Sequence, residues 1–368
     1  MSSVRKRILP SGEVRWQLDY KDQGGKRRHK QFPTKAAAVA FETTVRAEIA
    51  AGTHVADSAS ITIAEAGELW LQRCRTEGLE TGTLKQYGEH LRLHILPFIG
   101  SVKLSKLSTP QIEQFKDTLL QSRSRPLTRA ILVSLKALLY DARRRGLAVQ
   151  NPASGVKVTM PKRHEKQIQI PSRDEIKNLI AKTAELWPAT LPWRPLVLTA
   201  LFTGLRASEL RGLTWDCVSF DEKFIKVRQR ADYKNEMGNP KSAAGTREIP
   251  IGAYVSNALR QWRLACPASP QKLVFPTRTG GVISSSIYHK QCWFPLMRAL
   301  DLGSRYRFHD LRHCAATLFI EQGWTPKRVM SVMGHSSIQM TFDLYGHLWK
   351  TSEDDAEAMK QIEARLLG

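Results

Sequence analysis

Histidine, arginine and tyrosine gather in one stretch of the chain, Phe308 to His347, FHDLRHCAATLFIEQGWTPKRVMSVMGHSSIQMTFDLYGH. Read as a helix, it sets His309 and Arg312 three residues apart, so both side chains leave one face of the same turn. Two cationic donors then point at one spot. His335 follows Gly334 after a polar break, and Tyr345 comes ten residues later, with regularly spaced Ile338, Met340, Phe342 and Leu344 before it and Gly346 behind it as a hinge. Arg206, in TGLRASEL, supplies a second guanidinium. A planar fork on each side of a phosphate matches its oxygens bidentately. Donors fixed on the non-bridging oxygens lower the barrier to attack, because negative charge grows there. Tyrosine is a weak nucleophile at its free pKa of about 10, and a basic pocket favours its phenolate. The set reads as covalent phosphoryl transfer with Tyr345 as nucleophile.

Each member also has a plainer reading. A lone histidine in a helix is more often a hydrogen-bonded structural residue than a catalyst; His309 rises above that only in company with Arg312, His335 and Tyr345. Glu209, three residues after Arg206, reads as a carboxylate that orients a helix or an arginine. Tyr306 precedes the cluster and reads as packing or a DNA contact, and no tyrosine follows Tyr345. No acidic cluster or metal-ligand spacing accompanies these residues and the sequence contains no GxxxxGK[ST] loop, so neither ATP nor a metal is expected.

These groups need elements to hold them. Ser172 with Glu175 forms a capping pattern, and PLVLTALFTGL reads as a buried helix that delivers Arg206 and Glu209 at its polar end. FIKVRQR and REIPI read as strands around the polar loop ADYKNEMGNPKSAAGT, which carries Lys234 and Lys241. A lysine on such a loop is ordinarily a solvated charge. Beyond Tyr345 the tail turns acidic, and Ala356, Met359, Ile362 and Leu366 have helical spacing.

A length of 368 residues implies two or three domains. The 56 Lys+Arg against 34 Asp+Glu give a net +22, which favours a polyanionic partner. Five scattered cysteines without a CxxC argue against a disulfide framework or zinc site and fit a reducing cytoplasm. No apolar run approaches a membrane span, and MSSVRKRILPSGE lacks a signal-peptide core.

In the first 58 residues SVRKRIL, EVRWQLDY and KRRHKQF alternate like strands, with Val14, Trp16, Leu18 and Tyr20 on one face. A helix starting near Thr34 lays Phe41, Val45 and Ile49 on them. Residues 1–35 hold ten Lys/Arg, among them Arg5, Arg7, Arg15, Lys26, Arg27 and Arg28, against three acids, and a basic sheet of this size can enter a major groove. Residues 59–152 then read as a four-helix bundle: one helix opened by Thr62 and Glu65, a second from Gly82 that stops at Pro97, a third with Thr109 as N-cap, and a fourth from Pro126 to Arg145. Arg143 and Arg144 read either as phosphate contacts or as cations favoured by the helix C-terminus.

TGLRASEL, Lys241 in PKSAAGTREIP, HDLRH, and GHSSIQMTFDLYGH together resemble the ordered motifs of the tyrosine recombinases, the phage integrase family, over roughly residues 60 to 350. The resemblance implies a multidomain, mainly α architecture. An arm-type DNA-binding domain of three strands plus a helix occupies 1–58. A helical core-binding domain follows over 59–152, a linker over 153–167, and an α+β catalytic domain with a C-terminal tail over 168–368. It further implies a catalytic set of Arg206, Lys241, His309, Arg312, His335 and Tyr345. In that set Lys241 protonates the leaving 5′ oxygen, with Lys234 as fallback, and His309 either takes the tyrosine proton or binds a phosphate oxygen. No cofactor is implied. A homotetramer on double-stranded DNA would pass through 3′-phosphotyrosine and a Holliday junction, with the tail docked on a neighbouring subunit or on its own domain. The extra N-terminal arm favours an integrase of a phage or mobile element over the shorter chromosome-dimer resolvases, and in the family such arms work with a DNA-bending host protein and an excision factor. Two rivals keep the fold: a type IB-like topoisomerase, and a catalytically silent DNA-binding regulator.

Overall fold

Alternation of apolar and polar residues near the N-terminus produces three antiparallel strands, β1 (Ser3–Ile8), β2 (Val14–Lys21) and β3 (Arg27–Phe32), in the order β1-β2-β3. Thr34 caps helix α1 (Lys35–Ala50) by accepting the Ala37 N–H, and Val45 of that helix closes over buried Leu18 and Tyr20. This computed structural model describes residues 2–160, 169–240, 242–349 and 355–367. The chain falls into two units, residues 1–163 and 164–368.

The first unit continues with α2 (Ile63–Thr76), opened by the Thr62–Glu65 capping box. Next, α3 (Thr81–His90) runs through a π-helical turn, Leu91–Ile95, into α4 (Leu96–Ile99). The expected stop at Pro97 is therefore corrected: the helical path passes it. A prolyl ring lacks an N–H and collides with the carbonyl one turn back, and the wider turn just before it relieves both problems. The same device recurs in the second unit. In α5 (Thr109–Ser122) the cap is Ser108 rather than Thr109, its N–H donating to Gln111 Oε1 at 2.9 Å. The fourth helix, α6 (Arg125–Arg144), buries Ile131, Leu135, Leu138 and Ala142 on one stripe against Trp70, Ile95 and Ile112. Within this unit Lys30 pairs with Asp57 at 2.7 Å, and Lys103 Nζ donates to the Asp57 carbonyl at 2.9 Å.

The second unit starts with α7 (Arg173–Leu186), capped by Ser172 and Glu175, and α8 (Trp193–Thr203), which is apolar on nearly every side and buried. Then come α9 (Ala207–Arg211), β4 (Val218–Ser219), β5 (Phe224–Val227), a short hairpin of β6 (Arg230–Ala231) and β7 (Met237–Gly238), and β8 (Arg247–Pro250). β5 is the middle strand of β4-β5-β8 and pairs Val227 with Arg247. Helix α10 (Ala253–Ala265) packs on α8; α11 (Ser285–Tyr288) reaches α12 (Phe294–Ala299) through the second π-turn, His289–Trp293, ahead of Pro295. The last helices are α13 (Asp310–Glu321), α14 (Pro326–Met333), α15 (Ile338–Tyr345) and α16 (Asp355–Leu367). Among the described residues no helix is long and apolar enough to cross a membrane.

Leu135 is fully buried at the centre of the first unit's helices. Leu135→Ala should lower its stability by about 2–5 kcal/mol through lost transfer energy and the cavity left behind. Urea unfolding measures this, and an unmoved midpoint would contradict the packing described.

Candidate active site

Helix α8 ends at Gly204, whose φ of +64° is left-handed and whose missing Cβ would lie 2.9 Å from Met333 Sδ. The chain turns there, so Arg206 is not the polar end of α8. It is the N-cap of α9, in extended backbone. Glu209, three residues on, is 3% exposed and receives the Arg206 backbone N–H at 2.9 Å and Arg206 Nη1 at 2.8 Å. A third guanidinium shares that carboxylate. Arg247, also buried, donates Nη1 to Oε1 at 3.1 Å and Nη2 to Oε2 at 2.8 Å. Burial acts to raise the Glu209 pKa, but the Arg247 hydrogen bonds and the charges of Arg247 and Arg206 outweigh it and hold the carboxyl below its usual range.

The same arginines close the end of α14. That helix stops in a Schellman turn: Gly334 has φ +63°, its N–H reaches Ser331 O at 3.0 Å, and His335 N reaches Met330 O at 3.1 Å. The next three carbonyls each take a different guanidinium. Val332 O accepts from Arg247 Nε at 2.6 Å, Met333 O from Arg312 Nη2, and Gly334 O from Arg206 Nη2 at 2.8 Å. Arg312 also donates Nη1 to Gly204 O at 2.6 Å. Burial and the nearby Arg206 push the Arg312 pKa down to about 9, which leaves it cationic at neutral pH.

His335 follows this turn and is buried, with Nδ1 2.9 Å from Thr341 Oγ1. Burial, then Arg312 and Arg206, lower its pKa to about 3, so the ring is neutral. Tyr345 ends α15 with its phenol turned inward, 2% exposed, among Ala316, Ile320, Val329 and Met333. Its ring lies parallel to that of His335 with centroids 6.5 Å apart, and its Oη is 2.7 Å from His313 Nδ1. The expected phenolate is corrected here. Burial raises the Tyr345 pKa to about 12 and outweighs the lowering by Arg312, so the group is a neutral phenol at physiological pH. His309 stands at the start of α13, where surrounding protein and the charge of Arg312 lower its pKa.

Arg206, Arg312, His335 and Tyr345 thus come together, with His309 one turn from His313. Lys241 lies outside the described residues. Its fallback, Lys234, is exposed on the β6–β7 hairpin, which Arg211 anchors by donating to Asp232 O at 3.0 Å and to Asn235 Oδ1. Sequence reasoning missed Arg247, Arg211 and His313. Only His313 left a signal, as the last residue of HDLRH, one helical turn after His309.

In the first unit, register places Arg5, Arg7, Arg15 and Arg27 on one face of the sheet with Gln17 and Gln31. Arg5 pairs with Asp19 and Arg7 with Gln17 there. Arg28 differs from them in position: it shares the helix-facing side with Tyr20 and is bound to Asp22 and Ser58. Lys26 is exposed in the turn before β3, and Arg143 and Arg144 are exposed at the end of α6.

The sequence and the fold have known counterparts. The sequence model of the phage integrase family matches residues 172–351, and that of the phage integrase N-terminal SAM-like domain matches residues 62–120. The chain belongs to the phage integrase family, the tyrosine recombinases, and is a site-specific recombinase. A tyrosine recombinase XerC-like protein of Caldanaerobacter subterraneus subsp. tengcongensis is 28% identical over 363 residues, covering 89% of this chain and 90% of that protein. In fold, the chain is similar to the Tn1549 transposon integrase solved with transposon right end DNA (TM-score 0.69, 20% identity, 83% of this chain and 100% of that one). It is similar as well to a lambda integrase dimer bound to a COC′ core site (TM-score 0.60, 16% identity, 95% and 97%).

Glu209 carries a depressed pKa in the folded state, so its contribution to stability is complete above about pH 4.5 and is lost as pH falls through the lowered value. Glu209→Gln strands the buried guanidinium of Arg247 and removes the partner of half-buried Arg206, and should cost about 3–5 kcal/mol at neutral pH. It should also remove this acid-labile component. Unfolding of wild type and variant across the acid range measures both effects, and identical pH profiles would contradict the assignment.

Proposed function

We propose that this chain is an integrase that cuts and rejoins DNA by attack of Tyr345 Oη on a backbone phosphorus, leaving 3′-phosphotyrosine and a free 5′ hydroxyl. The observation that carries this reading is the inward phenol of Tyr345, held in the same subunit beside Arg312, His335 and His313. Arg206 and Arg312 carry more N–H donors than the carbonyls and Glu209 take up, and those remaining face the non-bridging oxygens. His335, neutral and held by Thr341 at Nδ1, presents Nε2 to the phosphate. His309 binds a second phosphate oxygen, and Lys241 protonates the 5′ leaving group. The broken bond's energy stays in the phosphotyrosine, so resealing needs no cofactor.

Four protomers on two core sites would exchange strands through a Holliday junction. Supporting this, α16 leaves Met359, Ile362 and Leu366 exposed, and α15 leaves Ile338, Met340 and Phe342 exposed, apolar surface suited to a neighbouring subunit. A lambda integrase tetramer has been solved bound to a Holliday junction. The Arg/Gln face of the N-terminal sheet would read arm-type sites, with Arg143 and Arg144 on backbone phosphates nearer the core site. A DNA-bending host protein and an excision factor would complete the assembly.

Tyr345→Phe should bind a nicked suicide substrate normally and form no covalent adduct on a denaturing gel; a persisting adduct would mean another nucleophile. Replacing Arg7 and Arg15 together by alanine should spare core-site cleavage while weakening arm-site binding, with the slope of log K against log salt falling by about 2. An unchanged slope in a salt titration would remove the sheet from the DNA interface.

A further inference from the structure

We propose that His313, through Nδ1, is the base that takes the phenolic proton as Tyr345 attacks; the inference rests on the reading of Tyr345 as nucleophile. Among the described residues His313 Nδ1 is the hydrogen-bond partner of Tyr345 Oη, at 2.7 Å; the phenol is buried and the imidazole half-buried. His309, one turn earlier on α13, meets the His313 ring edge-on with centroids 5.3 Å apart and makes no described bond to the phenol.

The charge state suits the task. Burial, then His309, depress the His313 pKa to about 4, so at neutral pH its ring is uncharged and can accept a proton. The phenol keeps its proton until attack begins. Arg307, Asp310 and Arg312 face His313 from its own segment, Tyr345 from α15, and His335 from the turn after α14. Three consequences follow for the step itself. The Oη–P bond forms as the P–O5′ bond breaks, and the phenolic proton moves to Nδ1. The 5′ oxygen leaves as a hydroxyl with a proton from the separate lysine donor. The new imidazolium is stabilised by negative charge building on the phosphoryl oxygens, and in resealing it returns the proton to the departing phenolate.

The test is single-turnover adduct formation on a nicked suicide substrate, followed against pH, for His313→Ala, His313→Gln and His309→Ala, with DNA binding measured for each. Gln keeps a hydrogen-bonding group near the phenol but cannot take up a proton. Both His313 variants should bind DNA as wild type does and cleave about 10²–10⁴-fold more slowly. Their rates should climb with pH as hydroxide substitutes, and added imidazole should partly restore His313→Ala. Wild-type cleavage by His313→Gln would reduce the residue to a hydrogen-bonding prop and overturn the proposal, as would imidazole rescue confined to His309→Ala. Tyr345→Phe separates the two layers: an adduct there sinks the nucleophile assignment, whereas normal cleavage by the His313 variants sinks only the base.

Discussion

Three successive carbonyls at the end of α14 set the site. A helix C-terminus leaves carbonyl oxygens without intrahelical partners, and its dipole concentrates negative potential there. Here Val332, Met333 and Gly334 meet that need with three guanidinia drawn from three distant parts of the second unit: Arg247 of β8, Arg312 of α13 and Arg206 at the start of α9. The helix end becomes the common reference for all of them. His335 follows immediately, so its position is fixed by the same contacts. Gly334 has no alternative, because a Cβ there would lie 2.9 Å from both Ala244 O and Arg247 Nη1.

Cations crowded in this way repel one another, and Glu209 offsets the repulsion. Its two oxygens serve Arg206 and Arg247 at once, and burial strengthens those bonds while making the loss of either partner expensive. Arg312 has no carboxylate of its own among the described contacts and rests on backbone carbonyls instead. That leaves it less neutralised than Arg206, and it is Arg312 whose charge lowers the pKa of the Tyr345 phenol.

Much of this was legible in the sequence because the chemistry lies in short local patterns. Three-residue spacing in HDLR, capping boxes at Thr62 and Ser172, and the alternation of Leu18 and Tyr20 depend on neighbours within a turn or a strand. Long-range consequences were not legible. Nothing in REIPI distinguishes Arg247 from a surface cation until β5 turns it toward Glu209. The Tyr345 phenol looked activated by its basic surroundings, yet Ala316, Val329 and Met333 close over it, and desolvation outweighs the charges. Pro97 looked like a stop because a π-turn leaves no compositional mark. Arg28 looked like its basic neighbours until register turned it to the helix side of the sheet.

The residual charge explains why so much cation is gathered at one helix end. The histidines are neutral, so the three guanidinia against the single carboxylate of Glu209 leave two positive charges in the described site. A phosphodiester carries one negative charge at rest and approaches two as a phenolic oxygen adds and the phenolic proton leaves. In the proposed reaction the pocket would match the charge of the transition state better than that of the bound substrate, which is the difference that accelerates a reaction. A buried, protonated tyrosine fits the same logic. In the proposed reaction it would contribute no charge before substrate arrives and give up its proton as phosphorus takes up the electron pair.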